Sequence, residues 1–263
     1  RIHGEFRHLT GRIYPQFDPK IHVIEPFDIP PSWEVWDGFD LHLRKEHAYA
    51  QWAISPNETI YVCNEIYKAV TVSELAKEAI QLRKGKKIVK TLIDSSAEAP
   101  DSISRLAPRR ILSAMGIHTK IPHKDKNVGP GIHAMRELLT PRVLNSGEKE
   151  PQFKVMSHCK RHIREFMNYV QDTRDTEFNI KDMPRKIFDD MMDLDRYFVI
   201  ENPLTKNLIE SFRYTDFRYG HQYDDSPDPL KEEDDAQRYN KASSSLMNRL
   251  LKERRGLLYE RRI

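Results

Sequence analysis

Hydrophobic and polar positions change their period along this chain near Val70. From Trp33 the pattern belongs to strands. Glu34-Val35-Trp36 leads into Gly38-Phe39-Asp40, and His47 to Ile54 is almost continuously apolar. After a Pro56-Asn57 turn, Thr59 to Ile66 is a further run. Three such runs joined by short polar turns predict an antiparallel three-stranded meander.

Beyond the meander the period lengthens. Thr71 or Ser73 caps a helix that turns Leu75, Ala79, Ile80 and Leu82 inward, and Gly85 stops it. Ile88 to Ile93 is a short strand buried on both faces. A helix up to Met115-Gly116 follows, then a short strand near Ile117. Gly129-Pro130-Gly131 reads as a loop within the region 127–139, which is otherwise helical. Phe153 to Met156 is a strand, and Ser157 caps a helix carrying Ile163, Phe166, Met167 and Val170. Gln171 to Pro184 reads as a polar loop, and a last helix is expected from about Pro184 to Ile200.

A hairpin meander followed by alternating helices and strands implies an α/β fold, with a central mixed sheet flanked by helices. Residues 1–32 show no helical period and are expected as an extended lead-in. The core domain is expected over 33–202. Residues 203–263 form an extension, with the breaker-rich Asp224-Asp225-Ser226-Pro227-Asp228-Pro229 and a basic helix from Ala242 to Tyr259. Arg1 is not a methionine, so a piece of a longer protein is expected.

Composition narrows the chemistry a little. A 38% hydrophobic content supplies a core, and a net charge of +3 only mildly favours a polyanionic partner. Cys63 and Cys159 are too few for a disulfide framework and read as buried thiols of a reducing compartment. No apolar run of membrane-spanning length occurs, so a cytoplasmic protein with no membrane partner is expected. Neither a Gly-x-x-x-x-Gly-Lys phosphate loop nor a dinucleotide fingerprint is present.

The candidate chemistry lies in carboxylates at element ends. Asp40 ends an apolar run, Asp94 closes the strand Lys90-Thr91-Leu92-Ile93, and Asp193 sits in the last helix with Asp189 and Asp190. Asp37 lies three residues before Asp40, so the choice between them rests on strand register. Asp40 is preferred because a polar turn follows it. Asp190 and Asp193 are i,i+3, so at least two carboxylates share one helix face. A converged cluster of like charges is stable only with a cation among them, and oxygen ligands select Mg²⁺ or Mn²⁺. Two such ions would suit phosphoryl chemistry. His42 and His47 flank Asp40, but no zinc-type spacing is present.

These elements resemble the C-terminal nuclease domain of the large terminase subunit of tailed bacteriophages. The resemblance runs over about residues 8–203. It is carried by Gly11-Arg12-Ile13-Tyr14-Pro15-Gln16-Phe17, by Gly38-Phe39-Asp40 and by Leu92-Ile93-Asp94. Its most specific part is Asp189-Asp190-Met191-Met192-Asp193 with Arg196-Tyr197. Asp195 departs from it, since that position is usually apolar. The resemblance implies a ribonuclease H-like fold and metal-dependent cutting of double-stranded DNA with little sequence preference. It implies Asp40, Asp94 and Asp193 as metal ligands, with Asp190 assisting. It also implies an ATPase domain in the full-length protein, a portal protein and a small terminase subunit as partners, and the host cytoplasm as location. Arg44, Lys45, Lys124 and Lys126 are placed by sequence to contact DNA. Two rivals remain open: a non-catalytic module that clamps DNA or docks on the portal, and another nuclease of the same fold, such as a junction resolvase.

Overall fold

The computed structural model describes residues 11–42, 45–100, 106–122, 128–143, 147–171, 184–187 and 189–210. In chain order these form α1 (Pro19–His22), β1 (Val23–Ile24), β2 (Glu34–Asp40), β3 (His47–Ile54), β4 (Ile60–Lys68), α2 (Val72–Arg83) and β5 (Lys87–Ile93). They continue with α3 (Pro108–Ala114), α4 (Gly129–Leu139), β6 (Arg142–Val143), β7 (Lys149–Glu150), β8 (Phe153–Met156), α5 (Lys160–Asn168) and α6 (Asp190–Glu201).

Six strands make one mixed sheet in the order β1-β8-β4-β3-β2-β5. The meander β2-β3-β4 is antiparallel, as expected, while β5, β8 and β1 join it in parallel. Strands β6 and β7 form a separate small hairpin. The central strands are buried on both faces, so the hydrophobic runs are continuous rather than alternating.

Helices cover both faces. One core joins β2, β3, β4 and β8 to α4, α5 and α6, with Trp52, Leu138, Phe166 and Phe198 among its enclosed side chains. Trp52 stacks on Phe198 at 4.8 Å between ring centroids, tying β3 to α6. The other core joins Phe39, Tyr49 and Ile93 to Leu75 and Ala79 of α2. Thr71 caps α2 through a full capping box with Glu74.

Several expectations are corrected by tertiary packing. Ile13, Tyr14 and Phe17 are buried in the first core and β1 pairs with β8, so residues 13–24 pack into the sheet domain. Gly129-Pro130-Gly131 is the first turn of α4 and not a loop, since proline fits that turn without losing a needed N–H. The Cβ an alanine would add at Gly131 would sit 2.7 Å from Arg196 Cγ, which explains the glycine there. Cys159, not Ser157, precedes α5 as its N-cap. Near Ile117 only an isolated bridge forms, between Leu92 and Lys120. Helix α6 begins at Asp190 and not near Pro184, which places Asp193 in its first turn.

Candidate metal centre

Strand register separates Asp37 from Asp40. Successive residues of a strand face opposite sides, so these two aspartates diverge. Asp37 points toward α2, where Arg83 grips it through Nε at 2.6 Å and Nη2 at 2.9 Å, and Tyr49 donates at 2.8 Å. That is an enclosed structural pair. Asp40 turns to the other side of β2, toward the start of α6.

There it meets an acidic pocket of about 440 Å³ lined by Asp40, Asp94, Asp189, Asp190 and Asp193. These five carboxylates come from β2, from the end of β5 and from the first turn of α6 with its cap. All four aspartates expected at the site therefore reach one cavity. Their donor atoms are not equally close. Among the described residues the tight set is Asp40, His42 and Asp190, with one ligand atom of each within 4.8 Å of the others.

Three of these acids have close polar partners. Asp190 Oδ1 is 2.6 Å from Lys45 Nζ, and its Oδ2 accepts a hydrogen bond from Tyr67 at 2.9 Å. Asp193 is 2.9 Å from Arg196 Nη2. Asp94 accepts from the Ser96 N–H at 2.7 Å and from the Tyr197 hydroxyl at 2.6 Å. It is thus both the cap of a short 3-10 turn and a wall of the pocket.

The electrostatics are those of crowded acids. Burial, reinforced by Asp190 and Asp193, raises the Asp40 carboxyl above its ordinary range. Burial with the nearby Asp193 and Asp190 lifts Asp189 to about 6. For Asp190 burial pulls the same way, but hydrogen bonds from His42, Lys45 and Tyr67 outweigh it and hold the group well below the usual carboxylate range. His42 Nε2 stands 3.1 Å from Asp190 and 3.3 Å from Asp40. Burial opposes its charged form, yet the two carboxylates push it up to about 9.

The set fits a hard divalent cation. Its carboxylate oxygens, which suit such an ion, come from β2 and the first turn of α6, and the His42 imidazole stands beside them. His42 Nε2 is buried between two carboxylates. Lys45, Arg196 and the raised His42 balance part of the charge of the five carboxylates here.

His42 carries no zinc-type spacing in the sequence. Its one signal there is the i,i+2 relation to Asp40, which puts both on one side of an extended segment. Tyr67, which donates to Asp190, and Glu165, which accepts the Met191 N–H at the start of α6, have no such signal. Lys45 lines the pocket, its side chain 49% exposed. Arg44, Lys124 and Lys126 lie outside the described residues.

With this geometry in hand, solved structures provide the comparison. The large terminase of a thermophilic bacteriophage superposes with a TM-score of 0.58 at 22% identity, over 74% of this chain. The nuclease domain of the P22 large terminase superposes with a TM-score of 0.54 at 17% identity, over 76% of this chain and 97% of its own. This chain has the fold of a large-terminase nuclease domain. That fold is ribonuclease H-like, with the mixed sheet and antiparallel meander described above. The chain spans 45% of the length of the thermophilic phage's large terminase. No protein-family model matches the chain, and no curated protein matches it in sequence.

Proposed function

We propose that this chain is a metal-dependent endonuclease that cuts double-stranded DNA during viral genome packaging. The observation that carries the reading is the meeting of Asp40, Asp94, Asp190 and Asp193 in one cavity, within a large-terminase nuclease fold. Asp40, Asp94 and Asp193, with Asp190 beside them, would hold Mg²⁺ or Mn²⁺, two ions being the arrangement that suits phosphodiester hydrolysis. Bound ions would supply Lewis acidity and positive charge at the scissile phosphate.

The protein's own part is placement. Tyr197 orients Asp94, Arg196 orients Asp193, and Tyr67 with Lys45 orients Asp190. The half-exposed Lys45 ammonium faces the cavity, where it can meet a phosphate oxygen. Partners proposed with this reading are an ATPase domain in the full-length protein, a portal and a small terminase subunit, with the host cytoplasm as the site of action. No helix among the described residues is long and apolar enough to cross a membrane.

The test is conversion of supercoiled plasmid by the purified chain in Mg²⁺, Mn²⁺ or EDTA. Nicked and linear products should need a divalent ion and should disappear in Asp40→Asn and Asp193→Asn. Plasmid left intact in Mn²⁺ across a wide protein range would overturn the reading.

A further inference from the structure

A second concavity opens beside the acidic one, and its charge is opposite. It has a volume of about 440 Å³ and lies between the end of β4 and the first turns of α5. Lys68, Lys160, Arg161 and Arg164 line it, against the carboxylates of Glu65 and Glu78. Both carboxylates are engaged. Glu78 lies 2.7 Å from Lys68 Nζ, and Glu65 accepts the backbone N–H groups of Arg161 and His162 at 2.7 and 3.0 Å. The lining carries four cations against two carboxylates, with Lys68 paired to Glu78 and Arg161 paired to Glu165.

Two residues join this groove to the acidic pocket. Tyr67 lines the groove and donates to Asp190 Oδ2 at 2.9 Å. Arg161 lies over the Tyr67 ring at 3.8 Å and reaches to 3.8 Å from the same oxygen of Asp190. The groove thus begins where the acidic site ends.

The placement of Lys160 and Arg164 runs against helix physics, while Arg161 is compensated by Glu165 at i,i+4. Lys160, Arg161 and Arg164 fall in the first turn and a half of α5, with no acid in its first turn. Positive charge at a helix N-terminus and like charges at i,i+4 are each unfavourable by a few tenths of a kcal/mol. Lys160 and Arg164 are both exposed and share one helix face. An exposed cationic stripe placed where the helix disfavours it fits a polyanion better than it fits stability.

We propose that the groove between β4 and α5 is a phosphate track, which takes the DNA backbone as it leaves the acidic pocket. The inference rests on the nuclease reading for its substrate and adds to it the path and the contacts. Lys160 and Arg164 contact phosphates through their exposed heads. Arg161, held against Tyr67, marks the junction with the acids.

The experiment is binding of a short fluorescein-labelled duplex, followed by anisotropy in EDTA at several salt concentrations. The full chain, Lys160→Ala/Arg164→Ala, and the charge-matched control Lys20→Ala/Lys149→Ala are compared. Each lost phosphate contact lowers the slope of log K against log salt by about 0.9. The groove variant should therefore lose about 2 from the slope and bind at least about tenfold more weakly near physiological salt. The control pair, exposed and outside the groove, should retain the wild-type slope. A wild-type slope in the groove variant, an equal loss in the control, or no duplex binding by the wild type overturns the proposal. Salt-dependent binding lost in the groove variant, by a protein that never cuts DNA, would leave the track standing and sink the nuclease reading instead.

Discussion

Glu165 accepts the backbone N–H of Met191 at 2.8 Å, and that of Met192 at 3.3 Å, across the gap between α5 and α6. Helix α6 has no side-chain cap of its own at Asp189, so a carboxylate from another helix serves its N-terminus. Asp190 and Asp193 stand on the turn that Glu165 anchors. Glu165→Ala should leave buried donors unsatisfied, with a loss of about 1–3 kcal/mol in urea unfolding. It should also weaken Mn²⁺ binding by about tenfold or more in calorimetry, as loss of a group supporting metal ligands does. Glu165→Gln keeps an acceptor and should recover most of the metal affinity. Equal Mn²⁺ affinity in all three proteins would show that the cap serves stability alone.

Asp37 and Asp40 should respond in opposite ways, although they are three residues apart on one strand. Removing Asp37 takes the partner from the half-buried Arg83 guanidinium, so Asp37→Ala should cost about 1–3 kcal/mol. Asp40 is disfavoured as an anion by burial and by neighbouring acids. Asp40→Asn should therefore raise stability at neutral pH while abolishing metal-dependent cutting. Thermal unfolding and plasmid cleavage on the same preparations decide it.

Asp195, in a position expected to be apolar, is enclosed and accepts a hydrogen bond from Trp52 Nε1 at 2.7 Å. Beside it His162 is fully buried, with Nδ1 2.8 Å from Glu65 and Nε2 3.5 Å from Asp195. Burial works against the charged ring, but Asp195 and Glu65 outweigh it and push the imidazole up to about 10. A raised folded value means stability fully present below about pH 6.5, where the unfolded ring is also protonated. That contribution is lost as pH rises toward 10. Urea unfolding at about pH 6, 8 and 10 should show a fall on the order of a few kcal/mol from this group. His162→Gln should be less stable at the lowest pH and should flatten the dependence. A wild-type profile that stays level across that range would count against a charged His162.

Gly131 governs Asp193 at one remove. An added Cβ would lie 2.7 Å from Arg196 Cγ, and Arg196 holds Asp193 at 2.9 Å. Gly131→Ala should displace that arginine, costing about 1–3 kcal/mol as overpacking does, and should weaken Mn²⁺ binding. Mn²⁺ affinity equal to wild type, with stability lowered, would show that Arg196 can move without releasing the aspartate.

Period and punctuation carried the local structure. The apolar runs of β2, β3 and β4, a helix start at Thr71 or Ser73 and a strand at Ile88 to Ile93 were legible, because each rests on neighbours in sequence, although only the end of that strand is buried. Asp40, Asp94, Asp190 and Asp193 could be singled out as acids at or near element ends. Their meeting in one cavity was decided by the sheet order, which sets β5 beside β2, and by the packing of α6 on β2 and β3. Contacts across long separations also settled the fate of Asp37, the part played by His42, the late start of α6 and the burial of Ile13, Tyr14 and Phe17. A residue's period is set by its neighbours in the chain. Its partner is set by which surfaces come together, and no short window of sequence contains both.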